Sequence, residues 1–199
     1  MIAPNRCSDM NQIRVLIADG QPIFRYGLCS LLSKDDEMQV IGEAESAPDL
    51  LAKVDCQRTD VVVTDFPLPG ASGIEVTREL RRRCGDSLKI VILSAYSDEQ
   101  HLFDSLRAGA DAYLPRNASY QMVAEAIRQV HKGRKSLTAE QTQEVLEQFR
   151  LLSRERLQER TGLSETELQI LERLAQGETY EEIGNVLYLS ERTIKRKVR

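Results

Sequence analysis

Tryptophan is absent from this chain, aromatic residues of any kind make up 5% of it, and histidine occurs only at His101 and His131. Two histidines beside four scattered cysteines (Cys7, Cys29, Cys56, Cys84), with no C-x-x-C pair, leave no zinc-ligand spacing. That scatter reads as reduced, core-packing thiols of a cytosolic protein. A redox sensor using Cys29, Cys56 or Cys84 is the weaker reading, because no thiolate-stabilising cluster flanks them. Long apolar runs are missing too: none approaches the roughly 18 residues of a membrane span. The opening MIAPNRCSDMNQ has no apolar signal-peptide core, so residues 1–12 read as a tail and no membrane partner is expected. A basic surplus is also lacking. The net charge of −4 argues against a surface that is cationic throughout, while leaving room for a local patch. What is present is 199 residues at 41% hydrophobic content, enough for a medium domain with an aliphatic core plus a small one.

Five short apolar runs stand out: IRVLIA (13–18), MQVIGE (38–43), DVVVTD (60–65), KIVILS (89–94) and DAYLP (111–115). Those around 15–18, 61–63 and 90–93 are continuous and rich in Val and Ile, a pattern that suits strands buried on both faces of a parallel sheet. Helix-length segments lie between them, with apolar residues near the helical period. Examples are Ile23, Tyr26, Gly27 and Leu31 in the first, and Val123, Ile127 and Val130 in the last. The alternation predicts an α/β doubly wound domain with a five-stranded parallel sheet over residues 13–132.

After Gly133 the character changes. Residues 138–160 contain no Gly or Pro and read as one charged linker helix, with Thr138 and Gln141 as a capping box and Thr161-Gly162 as its stop. Val145, Phe149 and Leu152 form a stripe along it that needs something to bury it. Residues 163–199 then read as a small all-α domain. Ser164 with Glu167, Thr179 with Glu182, and Ser190 are start signals for helices near 165–176, 180–187 and 191–199. Gly177 stops the first, and only Tyr188-Leu189-Ser190 separates the other two, which describes a helix-turn-helix. Its last segment, RTIKRKVR (192–199), carries five cations and no acid. Such a segment suits DNA phosphates and base edges, while Ile194 and Val198, four apart, suit the core.

In an open parallel sheet, ligands sit beyond the carboxyl ends of the strands. Asp19, Asp65, Ser94 and the segment Tyr113–Arg116 fall at four such ends, bringing two carboxylates, a hydroxyl and a guanidinium to one edge. A carboxylate nucleophile, cations and a hydroxyl donor are what phosphoryl transfer to a side chain requires. Carboxylates that merely end strands are the alternative at this point.

RVLIADGQPIFRYGL, DVVVTDFPLPGASGIE, KIVILSAYSDE and AGADAYLPRNAS resemble, in order, four receiver-domain segments of the two-component response regulators. LSETELQILERLAQGETYEEIGNVLYLSERTIKRKV resembles the LuxR-type helix-turn-helix. The resemblance is to the NarL/FixJ-like family and covers about 13–199. It implies a flavodoxin-like receiver (13–132), a linker with a helix (133–162) and a LuxR-type DNA-binding domain (163–199). It implies Asp65 as phosphoacceptor, Ser94 and Tyr113 as switch residues, and Asp19, Asp65 and the Pro67 carbonyl as an Mg²⁺ site. Thr193, Lys195, Arg196 and Arg199 become the DNA-binding residues. The implied function is a cytoplasmic transcriptional regulator, not an enzyme. Its receiver would gate the DNA-binding domain, and its partners would be a two-fold promoter site, a sensor histidine kinase or other signalling protein, and a second copy when active.

Three departures sharpen the expectation. Gly20 replaces the second acid of the pocket, Arg116 replaces its lysine, and the chain ends at Arg199 without the family's further helix. Losing a carboxylate weakens Mg²⁺, and a guanidinium fork can clamp Asp65 bidentately where lysine offers a mobile point charge. They point to a degenerate acidic pocket and to signalling that does not need ordinary phosphorylation. The alternative is a pseudo-receiver adaptor that acts through proteins without productive DNA binding.

Overall fold

Five strands pair in parallel in the spatial order 2-1-3-4-5: β1 (Ile13–Ala18), β2 (Met38–Ala44), β3 (Val61–Phe66), β4 (Lys89–Ser94) and β5 (Ala112–Pro115). They alternate with α1 (Pro22–Leu32), α2 (Ala47–Lys53), α3 (Gly73–Cys84), α4 (Glu99–Ala108) and α5 (Tyr120–His131). The structure, a computed structural model, describes residues 12–95 and 99–197, leaving aside the side chains of residue 99 and of residues 154–161. The tail at 1–11, Val198 and Arg199 therefore lie outside the described residues.

The continuous Val/Ile runs are central strands, as their pattern predicts. Every residue of β3 is buried, and its two faces feed two cores. Val61 and Val63 join Val15, Ile17, Val91 and Leu93 against α1 and α5. Val62 and Phe66 join Leu16, Ile90, Ile92 and Tyr113 against α2, α3 and α4. This is the doubly wound, flavodoxin-like arrangement, with the topological switch beside β1. In α5, Val123, Ile127 and Val130 are buried as the periodicity predicts.

α1 forms where the apolar spacing predicts a helix, and the sheet selects its buried face. Ile23 is 90% and Tyr26 74% exposed, and Leu31 is largely open, while Leu28, Cys29 and Leu32 are buried. Phe24, Leu28 and Leu32 form a second stripe at the same helical spacing, and the sheet takes that one. The spacing alone did not choose between the two.

The expectation of reduced thiols is corrected. Cys56, in the α2–β3 connection, and Cys84, at the end of α3, form a disulfide with Cα atoms 5.2 Å apart. The pairing is tertiary: 28 residues separate the two cysteines, and only the sheet brings the connection against α3. Cys29 is free and buried, and burial pushes its thiol up to about 11, with Glu43 adding to the effect. Closing a loop of this length contributes about 3–4 kcal/mol in the chain-entropy model. Reduction with dithiothreitol, or Cys84→Ser, is therefore expected to lower the urea midpoint of this unit. Unchanged unfolding under reducing conditions, checked by intact mass, would refute that.

Two compact units divide the chain, the first ending at Val145 and the second beginning at Leu146. The linker helix α6 (Ala139–Thr161) thus starts within the first unit. Lys135 Nζ donates to Asp111 at 2.8 Å, and the Ser136 amide donates to the Asp111 carbonyl at 3.0 Å. Asp111 also accepts from the Arg81 guanidinium and from the Ile90 amide. Thr138 and Gln141 form the expected capping box, and Gln141 Nε2 reaches the Tyr113 carbonyl at 3.0 Å. Of the expected stripe, Val145 packs on the second core and Phe149 stays exposed.

The second unit holds α7 (Glu165–Ala175), α8 (Tyr180–Leu187) and α9 (Glu191–Lys197). Both predicted capping boxes are present, and the Ser190 hydroxyl accepts from the Thr193 amide at 3.2 Å. Gly177, at φ +86°, turns the chain after α7 as expected. Ile170, Ile183 and Ile194, one from each helix, are fully buried and make the core. The turn is tight because Tyr188 adopts a left-handed φ of 55° and the Leu189 amide returns to the Gly184 carbonyl at 2.9 Å.

Candidate functional site

The parallel register sets the strand ends level. Asp65 pairs with Leu93, Phe66 with Ser94, and Ser94 with Pro115. Asp19 follows β1 by one residue and Asp65 lies one before the end of β3, so both carboxylates emerge at the same edge, almost fully buried. Arg116 follows β5, and its amide donates to the Ser94 carbonyl at 2.7 Å, which fixes the root of the side chain.

From there the guanidinium reaches across the sheet. One nitrogen, Nη2, meets both Asp19 oxygens at 2.9 and 2.8 Å, and the other, Nη1, forms an ion pair with Asp65 Oδ1. Its central carbon lies over the Phe24 ring, 4.3 Å from the ring centre, a cation–π contact. Asp19 Oδ1 also accepts from the Gln21 amide at 2.7 Å, and Asp65 Oδ1 from the Phe66 amide at 2.8 Å. Arg25 Nη1 donates to the Asp19 carbonyl at 2.6 Å.

Burial, together with the Asp19 charge beside it, pushes the Asp65 carboxyl above its ordinary value in spite of Arg116 and the Phe66 amide. Burial alone would lower Arg116, but its bonds to Asp19 and Asp65 hold it above its usual value. The site is therefore a largely buried triad of one guanidinium and two carboxyl groups, each carboxyl also accepting from a backbone amide.

Of the residues singled out from sequence, Asp19, Asp65, Ser94 and Arg116 gather at this edge, while Tyr113 lies inside β5, level with Ile92. Ser94 is buried at the end of β4, and Tyr113 is buried in the second core while its carbonyl accepts from Gln141. Pro67 is exposed. Two neighbours were not foreseen: Phe24 under the guanidinium and Arg25 on the Asp19 carbonyl, neither of which leaves a local pattern in sequence. Pro69, in the loop that the resemblance expects after Asp65, lies against Gly20.

The residues do not fit the Mg²⁺ that the fold family implies. Both candidate carboxylates are already taken by Arg116, and Gly20 offers none. A hard dication needs carboxylate oxygens and room for water; here the oxygens face a guanidinium in a buried cleft. Among the described residues, no group of three or more His, Cys, Asp or Glu side chains comes together that could hold a metal.

In the second unit, α9 exposes Arg192, Lys195 and Arg196, while Thr193 is half-buried beside Ser190 and Ile194 points into the core. A groove of about 520 Å³ runs along this helix, lined by Ser190, Glu191, Arg192, Thr193, Lys195 and Arg196. Lys195 leans over the Tyr180 ring at 5.4 Å and pairs with Glu191 at 3.3 Å, so its charge is partly held until phosphate competes for it. Lys197 is tied to Glu167 at 3.4 Å. Among the described residues, no helix is long and apolar enough to cross a membrane.

Comparison with known proteins agrees with both halves. Residues 15–128 match the response regulator receiver domain, and residues 161–198 match the bacterial regulatory proteins of the luxR family. The DNA-binding transcriptional activator DevR/DosR of Mycobacterium tuberculosis is 32% identical over 186 residues, covering 94% of this chain and 85% of that protein. The crystal structure of the response regulator ChrA of a heme-sensing two-component system superposes with a TM-score of 0.56 at 30% identity, over 95% of this chain and 88% of that one. RcsB, solved as a complex with DNA, superposes with a TM-score of 0.59 at 25% identity, over 94% of this chain and 89% of that one. A parallel-sheet receiver whose strand ends carry the acidic pocket, followed by a helix-turn-helix, is thus joined to relatives that share both parts along nearly the whole chain. It belongs to the LuxR-type response regulators, the DNA-binding transcriptional regulators that join a receiver domain to a luxR-family helix-turn-helix.

Proposed function

We propose that this regulator controls promoter DNA binding from its receiver without Mg²⁺-dependent phosphorylation of Asp65, the state of the pocket being set by the Arg116 clamp. The observation that carries the reading is the guanidinium bridging Asp19 and Asp65. A carboxylate whose lone pairs are held by a guanidinium is a poor nucleophile toward a phosphodonor. A signalling protein, a ligand or pairing with a second copy then acts as trigger by withdrawing Arg116 from Asp65. The Arg116 amide donates to the Ser94 carbonyl of β4, and the Gln141 side chain of α6 donates to the Tyr113 carbonyl of β5, so displacement at the clamp reaches the linker through β5 and the Gln141 side chain. On the DNA side, Lys195 and Arg196 are assigned to the major groove and Thr193 to the backbone, in a homodimer on a two-fold site; Arg199, assigned to the groove with them by the resemblance, lies outside the described residues. The protein works as a cytoplasmic switch and not as an enzyme.

Incubation with acetyl phosphate and Mg²⁺, read by intact mass, tests the reading. No phosphoryl adduct is expected on the wild-type chain. An adduct that disappears in Asp65→Asn would restore the ordinary mechanism and refute the proposal.

A further inference from the structure

Cys56 and Cys84 each stand shortly before a strand begins, Cys56 before β3 and Cys84 before β4, so their disulfide lies at the amino-end edge of the sheet, opposite the acidic pocket. Disulfides usually staple small secreted domains whose cores are too slight to hold them. This receiver has no such need. Cys84 lies in a core that already unites Leu50, Val62, Leu80 and Ile90.

The segments that the bond joins also have anchors of their own. Arg83, beside Cys84, donates through Nη1 to the Leu51 carbonyl of α2 at 2.8 Å. Past Cys56, the Arg58 and Thr59 amides donate to the Asp55 carbonyl at 3.0 and 2.8 Å, and the Gln57 carbonyl accepts from Arg14 at 3.1 Å. The fold therefore has the means to survive opening of the bond, as a reversible site requires. Access is uneven: Cys56 is half-buried in its connection while Cys84 is buried, so Cys56 is the partner that an incoming thiolate meets. Cys29, the free cysteine among the described residues, is buried with its thiol pushed up to about 11, so it stays protonated and does not compete in exchange.

We propose that Cys56 and Cys84 form a reversible redox site of the receiver, a dithiol–disulfide couple that exchanges with low-molecular-weight thiols. A small thiolate attacks the Cys56 sulfur, the Cys56–Cys84 bond breaks, and Cys84 leaves as a thiolate that takes up a proton. A second small thiol resolves the mixed disulfide, leaving two protein thiols and one oxidised small disulfide. Oxidation by the small disulfide runs the same exchange backwards. The bond governs the seat of α2. At one end of that helix the Ala47 amide donates to the Pro69 carbonyl at 2.8 Å, in the loop that follows Asp65; at the other, the disulfide pins the connection to α3. Disulfides of cytosolic proteins are typically transient or redox-sensing. The site's meaning thus rests on the cytoplasmic placement proposed above, while its test needs neither that placement nor the state of Asp65.

The full-length chain is equilibrated in glutathione buffers of graded reduced-to-oxidised ratio, quenched with acid, labelled with N-ethylmaleimide in urea and mapped peptide by peptide. Cys56 and Cys84 are expected to pass together from unlabelled to labelled at an intermediate ratio, and to return when oxidised glutathione is added back. Protection in the most reducing buffer would make the bond a permanent staple, and labelling in the most oxidising one would show that the pair does not close. Either result overturns the proposal.

Hydrogen exchange supplies the second readout. The Val54 amide, bonded to the Leu50 carbonyl at 2.9 Å at the end of α2, should exchange at least ~10-fold faster in the reduced chain than in the oxidised one. Cys56→Ser/Cys84→Ser should match the reduced wild type in every buffer. Equal exchange in the two redox states, or a dependence on the glutathione ratio that persists in the double variant, would sink the assignment.

Discussion

Arg116→Ala is expected to destabilise the receiver by about 3–5 kcal/mol at neutral pH, the range found when one partner of a buried ion pair is removed. The variant leaves Asp19 and Asp65, 1% and 7% exposed, side by side without their guanidinium, the Gln21 and Phe66 amides still bonded to them. Desolvation and mutual repulsion then act in the same direction, and both disfavour the ionised pair. The pH dependence gives this loss a signature. In the native chain, burial already raises the Asp65 carboxyl above its ordinary value. A carboxyl with a raised folded-state pKa draws stability from the folded state as pH climbs through its unfolded value, about 4, toward its folded one. That cost vanishes again as pH falls below the unfolded value. Without Arg116 the upward shift grows. The deficit of Arg116→Ala should therefore be widest near pH 7 and narrow markedly toward pH 4, as read from urea midpoints. An equal deficit at both pH values would assign the loss to the Phe24 stack rather than to charge. Arg116→Lys keeps the charge but not the fork and should fall between wild type and alanine.

How far such a site was legible in sequence depends on the reach of the interaction concerned. Strand ends near Asp19, Asp65, Ser94 and Arg116 follow from apolar runs, which are local, and from the rule that parallel strands present their carboxyl ends together. The capping boxes at Thr138, Ser164 and Thr179 span three residues each, so they could be read directly and are present as written. The clamp was foreseen in kind, from arginine standing where a lysine was expected. Its bridge to Asp19 spans 97 residues and carries no local trace. The same holds for Cys56 with Cys84, Phe24 under Arg116, and Pro69 over Gly20: each is a meeting made by the folded sheet. The buried face of α1 is open in sequence for a related reason. Two stripes of equal period compete on that helix, and only the sheet decides between them.

Gly184→Val is expected to abolish specific DNA binding while leaving the receiver folded. A Cβ at position 184 would lie 2.6 Å from the Leu189 carbonyl oxygen, a backbone atom held in place by the left-handed Tyr188 and by the Leu189 amide bond back to Gly184. Relief requires the turn to move, and Ser190 and the whole of α9 move with it. Overpacking of this kind costs about 1–3 kcal/mol. Against the first unit, with its two large cores, that would be tolerable. The second unit is built on three buried isoleucines, and small cores rarely supply more than ~3–5 kcal/mol in total. The substitution therefore removes most of the margin and misplaces the helix that presents Lys195 and Arg196. Fluorescence anisotropy with promoter DNA should show affinity falling at least ~10²-fold, toward the non-specific level. The thermal transition of the receiver should stay within a degree of wild type. Asn185→Ala, an exposed neighbour on the same helix, should change neither quantity. Retention of specific binding by Gly184→Val within a few-fold would mean that the tight turn does not position the recognition helix.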